Sequence, residues 1–504
     1  MDKSHCGSRN PLELSFESPF LRRCILAAYW LLILLAVPAW WRTTSIERLS
    51  LPTSQVLKQA KREIEFPLEI HLSSSVNGVD TGALARELER TLEHRLSRRL
   101  SVIPHGPEDI FVSSETGSYW VKLTQDVRQS TIENEILLHP WDIHDPIASS
   151  ALTNSLAALL SPYTEQAHAE EREHVVSKYA PRFRIAFTLL NEDAASGRSA
   201  LSWDIREALK YNILPVLKRL ETLHNFTVES QVQYHAPLAF TPTTVSVDGT
   251  DVYGLTPEDL TVFVNSAEWT LSSGVTNDPV LHFLMFIPSA SRRPLHILND
   301  AGMPTGSHSF ILPQWGGVVI HNPPFETEDN FYLSASQLDH VSSIFRLQLL
   351  SLLGVPRLPS GVKSTSSLSR WQIDALLRRR AQENVREAQQ TLESIVKLVE
   401  QIENMPVGQD VKQDVEDALA ALDQAFEAAA LSPKLAFDHS ARALTLASRA
   451  FFNPGMLALL YFPPEHRVAV YTPLFASATV PLVVAVVREV VAWRKQRKAA
   501  ALNN

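Results

Sequence analysis

The sequence predicts an α/β domain, a mixed sheet with flanking helices, followed by a helical hairpin and tethered at both ends by transmembrane helices. Three observations predict it. Uncharged apolar runs occupy residues 24–41 and 468–487. Short β-branched or aromatic runs alternate with helix-period segments between residues 66 and 321. Long apolar stripes spaced by three and four then run from Ile373 to Phe426.

The terminal runs come first. Each approaches the ~20 apolar residues needed to cross a ~30 Å hydrocarbon core. Arg488, Arg494, Lys495, Arg497 and Lys498 follow the second run, against Arg449 and Arg467 before it, so the tail is expected in the cytosol. The first run is flanked by Arg22 and Arg23 on one side and by Arg42, Arg48, Lys58, Lys61 and Arg62 on the other, so its orientation follows only from the second. Trp30, Trp40 and Trp41 suit an interfacial belt. A cleaved signal peptide, with Val37-Pro38-Ala39 as a loose cleavage site, is the alternative; the length of the run opposes it.

Between the runs, Pro52 opens a short helical stretch and residues 66–73 read as a strand. Leu84, Leu88, Leu92 and Leu96 mark a helix packed by one face. Strands are expected at 110–114, 119–124 and 133–138, then helices at 147–160 and 164–178. The pattern restarts near Pro181: a strand at 183–190, a long helix at 203–223 carrying Pro215, and a strand at 226–234. This recurrence of strand, helix, strand suggests two related α/β units. Further strands are expected at 261–265, 281–287, 295–298 and 318–321.

From about Ser334 the chain turns helical. Ile373, Leu377, Ala381, Val385, Ala388, Leu392, Ile395, Val399 and Ile402 form one stripe; Pro406 and Gly408 mark a turn; Val411, Val415, Leu419, Leu422 and Phe426 form the partner stripe. Core packing and a binding face for another subunit are both open readings of these stripes. Pro463-Pro464 links to the last span, where Pro473 and Pro481 allow bends and Ala476, Ser477, Ala478 and Thr479 allow close helix approach, unless that span simply faces lipid. The organisation expected is a cytosolic tail (1–23), a span (24–41), an α/β domain (42–335), a helical region (336–462), a second span (468–487) and a basic cytosolic tail (488–504).

Composition excludes much chemistry. The net charge of −9 is dispersed, with no basic stripe for phosphates, so nucleic acid is not an expected partner. The two cysteines, Cys6 and Cys24, lie outside the central domain, which therefore has no disulfide, thiolate ligand or cysteine nucleophile. Phosphate-cradling Gly loops, HExxH helices and GxSxG elbows are absent from the sequence. His139, Asp142, His144 and Asp145 cluster, but around Pro140-Trp141, where polar turn residues are expected anyway. His168 and His174 sit six apart and turn to different helix faces. A hydrolase would need Asp300, one of His282, His296, His308 and His321, and a serine such as Ser273 to converge. No cofactor and no metal are expected. Asn225-Phe226-Thr227 is a sequon, compatible with glycosylation of Asn225 on the non-cytosolic side.

The segment Leu312-Pro313-Gln314-Trp315-Gly316-Gly317-Val318, ending at Asn322-Pro323, is the most distinctive. Its glycines permit positive φ or close backbone approach, and Trp315 adds a large apolar surface with one donor. A tight turn anchored into the core and a contact patch for a partner subunit or glycolipid, through Trp315, Gly316 and Gly317, are both open. Further marks are Asn265-Ser266-Ala267-Glu268-Trp269, the stretch from Leu271-Ser272-Ser273-Gly274-Val275 through Thr276-Asn277-Asp278-Pro279 to Val280-Leu281-His282-Phe283, and Phe286-Ile287-Pro288. With Tyr29-Trp30 and the Trp41-Arg42-Thr43-Thr44 exit of the first span, the chain resembles the PIG-S family over nearly its whole length.

That resemblance implies a non-catalytic, scaffolding subunit of the glycosylphosphatidylinositol (GPI) transamidase, two-pass in the endoplasmic reticulum membrane, with the large domain lumenal and both termini cytosolic. It implies as partners a cysteine-protease-like catalytic subunit, the remaining membrane subunits and membrane lipids; contact with GPI or the proprotein is left open. Two other classes compete: a lumenal enzyme using carboxylates on a glycan or lipid, and a structural subunit of another membrane complex.

Overall fold

The computed structural model describes residues 18–44, 48–96, 99–107, 118–126, 128–133, 135–160, 175–247, 250–271, 276–324, 329–402, 405–457 and 464–502. Contacts divide the chain into two units: one of Arg62–Glu387 and Ala420–Leu444, the other of Met1–Lys61, Ala388–Leu419 and Thr445–Asn504.

Two large open sheets, with a three-stranded and a two-stranded one beside them, are described in the first unit. Its strands are β1 (Leu68–Ser74), β2 (Leu100–Pro104), β3 (Ser118–Thr124), β4 (Ser130–Glu133), β5 (Ile136–Pro140), β6 (Arg182–Asn191), β7 (Ala200–Trp203), β8 (Asn225–Gln233), β9 (Thr243–Val247), β10 (Thr250–Leu255), β11 (Val280–Ile287), β12 (Leu295–Ile297), β13 (Ser309–Leu312), β14 (Gly316–Ile320), β15 (Phe331–Leu333) and β16 (Val362–Ser364). The first sheet has the order β16-β4-β5-β3-β1-β2 and the second β13-β14-β11-β6-β8. In each, the earliest strand lies between the second and third, all parallel, and an antiparallel hairpin, β4–β5 or β13–β14, follows beyond the third. The recurrence read from the sequence is therefore present as two sheets of one strand order. Strand β16, from the helical part of the sequence, joins β4 in parallel.

Burial follows the periodicity. Helix Thr81–Leu96 buries Leu84, Leu88, Leu92 and Leu96, and helix Ala148–Leu160 buries Leu152, Leu156 and Leu159; both pack with Ile70, Leu72, Val121 and Leu123 of the first sheet. Central β6 and β11 are buried on both faces, as parallel strands covered twice must be. Phe187 and Phe283 meet Phe345 of helix Ala335–Leu353, while Leu190, Leu284 and Phe286 share a core with Phe263, Trp269 and Leu295.

Several elements depart from the expectations for physical reasons. The helix expected at 203–223 is two, Ile205–Asn212 and Leu214–Leu220, because Pro215 lacks an N–H and opens the second. No strand forms at 261–265: a short helix, Pro257–Thr261, started by a reciprocal cap between Thr256 and Asp259, ends there, and residues 262–265 follow as turn and coil. The run at 133–138 divides into the ends of β4 and β5. The strand expected at 110–114, most of the helix at 164–178 and the linker through Pro463 lie outside the described residues.

Helix Arg370–Gln401 carries the first stripe and Gln409–Ala428 the second. Leu377, Ala381 and Val385 are buried, as are Ala388, Leu392, Ile395, Val399, Val411, Val415 and Leu419. In the second unit, Arg48 donates to the carbonyls of Val399 (2.7 Å) and Ile402 (3.3 Å), capping the end of the first helix, and Leu49 N donates to Val407 O (3.0 Å). The chain leaving helix Pro19–Thr44 is thus fastened to the turn between the two stripes. Helix Pro464–Leu502 carries Pro473 and Pro481. Its stretch Phe475–Lys495, mean hydropathy 1.8, is the one among the described residues found long and apolar enough to cross a membrane. Its Val480, Val483, Val484 and Val487 are exposed, as are Leu31, Leu32, Leu34 and Leu35 of helix Pro19–Thr44.

Candidate functional site

The Trp-Gly-Gly segment forms the turn and first residues of the β13–β14 hairpin. Gln314 takes a left-handed φ of 59° and its N–H donates to Val175 O at 3.0 Å. Trp315 is half-buried and stacks on the imidazole of His282 from β11, with centroids 4.6 Å apart and planes 23° apart. His282 N donates to Trp315 O at 3.1 Å. Burial first, then the Arg184 guanidinium, push the His282 pKa down to about 4, so the stacked ring is neutral.

The two glycines are buried strand residues that allow close approach. A Cβ on Gly316 would stand 2.0 Å from His282 O, so β11 and β14 could not pair as they do. A Cβ on Gly317 would stand 2.1 Å from Gln348 Oε1, while the Gln348 amide donates to Phe310 O (3.0 Å) and Val318 O (3.2 Å). Trp315 is the member of the triplet with surface left to offer.

Open α/β sheets take ligands at the carboxyl ends of the strands, where the strand order reverses. Those positions lie between β1 and β3 and between β6 and β11. In the first, Ser75 donates through both N and Oγ to Leu123 O, each at 3.0 Å. In the second, Glu192, 4% exposed, accepts from Ser289 N (2.8 Å) and Arg292 Nη1 (2.5 Å), and Arg293 Nε donates to Pro288 O (2.7 Å). Both crevices are laced by the chain's own groups.

The expected chemical clusters take structural roles. His139 is buried on β5 with Nδ1 2.6 Å from Ser130 Oγ, its pKa lowered by burial. Asp142 accepts from His144 N (2.9 Å) and Asp145 from Ile147 N (2.8 Å), the turn bonds expected of such residues. Among the described residues no group of three His, Cys, Asp or Glu side chains is arranged to hold a metal ion. His296 pairs with His308 at 5.8 Å between centroids, His321 follows β14, and among the described residues no hydrogen bond or ion pair joins Asp300 to either of these sets or to His282. Ser273, His168 and His174 lie outside the described residues.

Two clusters escaped the sequence reading. His71 stacks on Trp120 (4.8 Å, 13°), with its ring nitrogens 2.7 Å from His105 Nε2 and 2.9 Å from Glu69 Oε1. The alternation of Glu69 and His71 on β1 was the available signal, but His105 and Trp120 join only through pairing of separate strands. A largely buried chain also runs from Glu135 through the partly exposed Arg370, then Asp374 and Tyr119, to Arg378. Tyr119 accepts from Arg378 Nη1 (2.6 Å) and donates to Asp374 Oδ2 (3.1 Å); burial raises the pKa of both Tyr119 and Asp374.

Asn225 is exposed at the first position of β8, the last strand of its sheet. At the terminal helices, Arg23 Nε donates to Glu489 Oε1 at 2.8 Å.

Comparison with known proteins gives a consistent result. The family model PIG-S, described as phosphatidylinositol-glycan biosynthesis class S protein, matches residues 27–496. The GPI transamidase component PIG-S homolog of Schizosaccharomyces pombe is 28% identical over 99% of this chain and 90% of its own length. The GPI-anchor transamidase component PIGS of Rattus norvegicus is 30% identical over 92% of this chain and 95% of its own. The GPI transamidase component GPI17 of Saccharomyces cerevisiae is 27% identical over 90% and 88%.

Proposed function

The chain belongs to the PIG-S family, and from that premise we propose that it is a non-catalytic, scaffolding subunit of the endoplasmic-reticulum GPI transamidase, which joins preassembled GPI anchors to the C-termini of proproteins. The observation that carries this reading is similarity along nearly the whole chain to proteins named as transamidase components. Two features support a scaffolding role: Cys6 and Cys24 both precede the sheets, and the crevices where such sheets take ligands hold the chain's own Ser75, Glu192 and Arg292. The cysteine nucleophile then belongs to another subunit.

Helices Pro19–Thr44 and Pro464–Leu502 both cross the membrane in this reading, with the large domain lumenal and both termini cytosolic. The ion pair between Arg23, at the start of one helix, and Glu489, near the basic end of the other, supports ends on one side. Trp315, stacked on His282 beside the buried Gly316 and Gly317, is the proposed contact for a partner subunit, and Asn225 the proposed glycan site. The test is purification of the tagged full chain in mild detergent with identification of the copurifying subunits. Recovery free of the other transamidase subunits overturns the reading.

A further inference from the structure

Strand β8 ends the second sheet and, among the described residues, forms a ladder only with β6. Nine residues long, it is the longest outermost strand of the two large sheets; β2 has five, β13 four and β16 three. An outermost strand offers a row of unused N–H and C=O groups to any other strand. Proteins blunt such edges with lysine, proline, bulges or short length. None of these is present in β8: its sequence is Asn-Phe-Thr-Val-Glu-Ser-Gln-Val-Gln, and its register to β6 runs unbroken from Arg182↔Asn225 to Leu190↔Gln233. It has one charge, Glu229, which is committed to Arg184 at 3.0 Å. Val228 on this strand is 38% exposed.

The strand begins with the sequon. Asn225 is exposed, its backbone N–H fixed on Pro181 O at 2.8 Å, and Thr227 is also exposed. An N-linked glycan is bulky, strongly hydrated and confined to surfaces. We propose that a glycan on Asn225 shields the β8 edge, doing sterically what edge lysines do elsewhere and keeping this strand from pairing with other chains. The inference rests on the lumenal location proposed above.

The test has two arms on the full-length chain made in a eukaryotic secretory pathway. In the first, endoglycosidase digestion should increase gel mobility of the natural chain and of Thr227→Ser, but not of Asn225→Gln or Thr227→Ala. A separate chain with Ser307→Asn, which completes a sequon with His308 and Ser309 in an exposed loop, reports lumenal access independently. An unmodified Asn225 in a chain modified at the Ser307→Asn position overturns the inference and leaves the lumenal reading standing. No modification at either position overturns the lumenal reading and the inference with it. In the second arm, deglycosylation and Asn225→Gln should each raise the self-associated fraction on size exclusion roughly twofold or more, and adding Val228→Lys should reverse the rise. An unchanged profile for both, with Asn225 modified in the natural chain, overturns the shielding role.

Discussion

Arg23 and Glu489 stand 466 positions apart in sequence and form an ion pair of 2.8 Å, with Arg22 a further 4.0 Å contact to the same carboxylate. The pairing sets the basic start of the first helix level with the basic end of the last helix.

The pair is partly exposed, so its own contribution is small, within the ~0.2–1 kcal/mol typical of exposed pairs. Glu489→Ala should change the yield of membrane-inserted chain by less than about fivefold, the limit that energy sets. Glu489→Arg, which sets three arginines together, should lower it more, and Arg23→Glu with Glu489→Arg should restore it. Antibody access to tags at both termini in selectively permeabilised cells should be equal, from the cytosol; a lumenal N-terminus would contradict the account.

The glycine pair should separate by what each Cβ would strike. Gly316→Ala drives a methyl into the His282 carbonyl, where only backbone movement can relieve it, and should cost several kcal/mol, ~3 or more, or prevent folding. Gly317→Ala meets a side-chain amide; it should cost ~1–3 kcal/mol through displaced Gln348 bonds, and Gln348→Ala should recover part of this in the double variant. Thermal unfolding of the purified proteins measures both.

Stability should fall in acid between pH 6.5 and about 4. His224 and His282 are buried, and burial first lowers each pKa to about 4 from 6.5. In that window the unfolded chain holds more protons than the folded one, so each contribution is whole above pH 6.5 and is lost progressively as pH falls through about 4. Each loss is on the order of 3 kcal/mol. His282→Phe should flatten the slope of denaturation midpoint against pH relative to the natural chain; an unchanged slope would contradict the assignment of a buried, neutral ring at His282.

Much of this was legible in the sequence. Leu84, Leu88, Leu92 and Leu96 share one helix face because an i, i+4 spacing admits little else, and the strand cores near Ile185 and Phe283 follow from runs rich in apolar residues. The stripes from Leu377 to Leu419 are buried as their spacing implies. What stayed hidden depends on distant pairing. The need for glycine at 316 lies in the His282 carbonyl across the sheet, and the edge position of β8 follows from strand order, which local periodicity does not encode. The Thr256–Asp259 cap was readable, and the helix it starts takes up the first residue of the β-branched run at 261–265.

Asp142, Asp145 and Asp300 should be dispensable for catalysis. Asp142→Asn, Asp145→Asn and Asp300→Asn should each leave transamidation within about twofold of the natural chain: an amide accepts the same turn bonds at 142 and 145, and among the described residues no hydrogen bond or ion pair joins Asp300 to the histidines a hydrolase would need. Loss of activity in an assembled complex carrying any one of them would favour a lumenal carboxylate enzyme.

The central claim meets its most direct test in the composition of the purified assembly. Affinity purification of the tagged full-length chain in mild detergent, followed by mass spectrometry, should recover the cysteine-protease subunit and the other transamidase subunits in stable proportion. A chain recovered alone, or with a different membrane complex, would contradict the account.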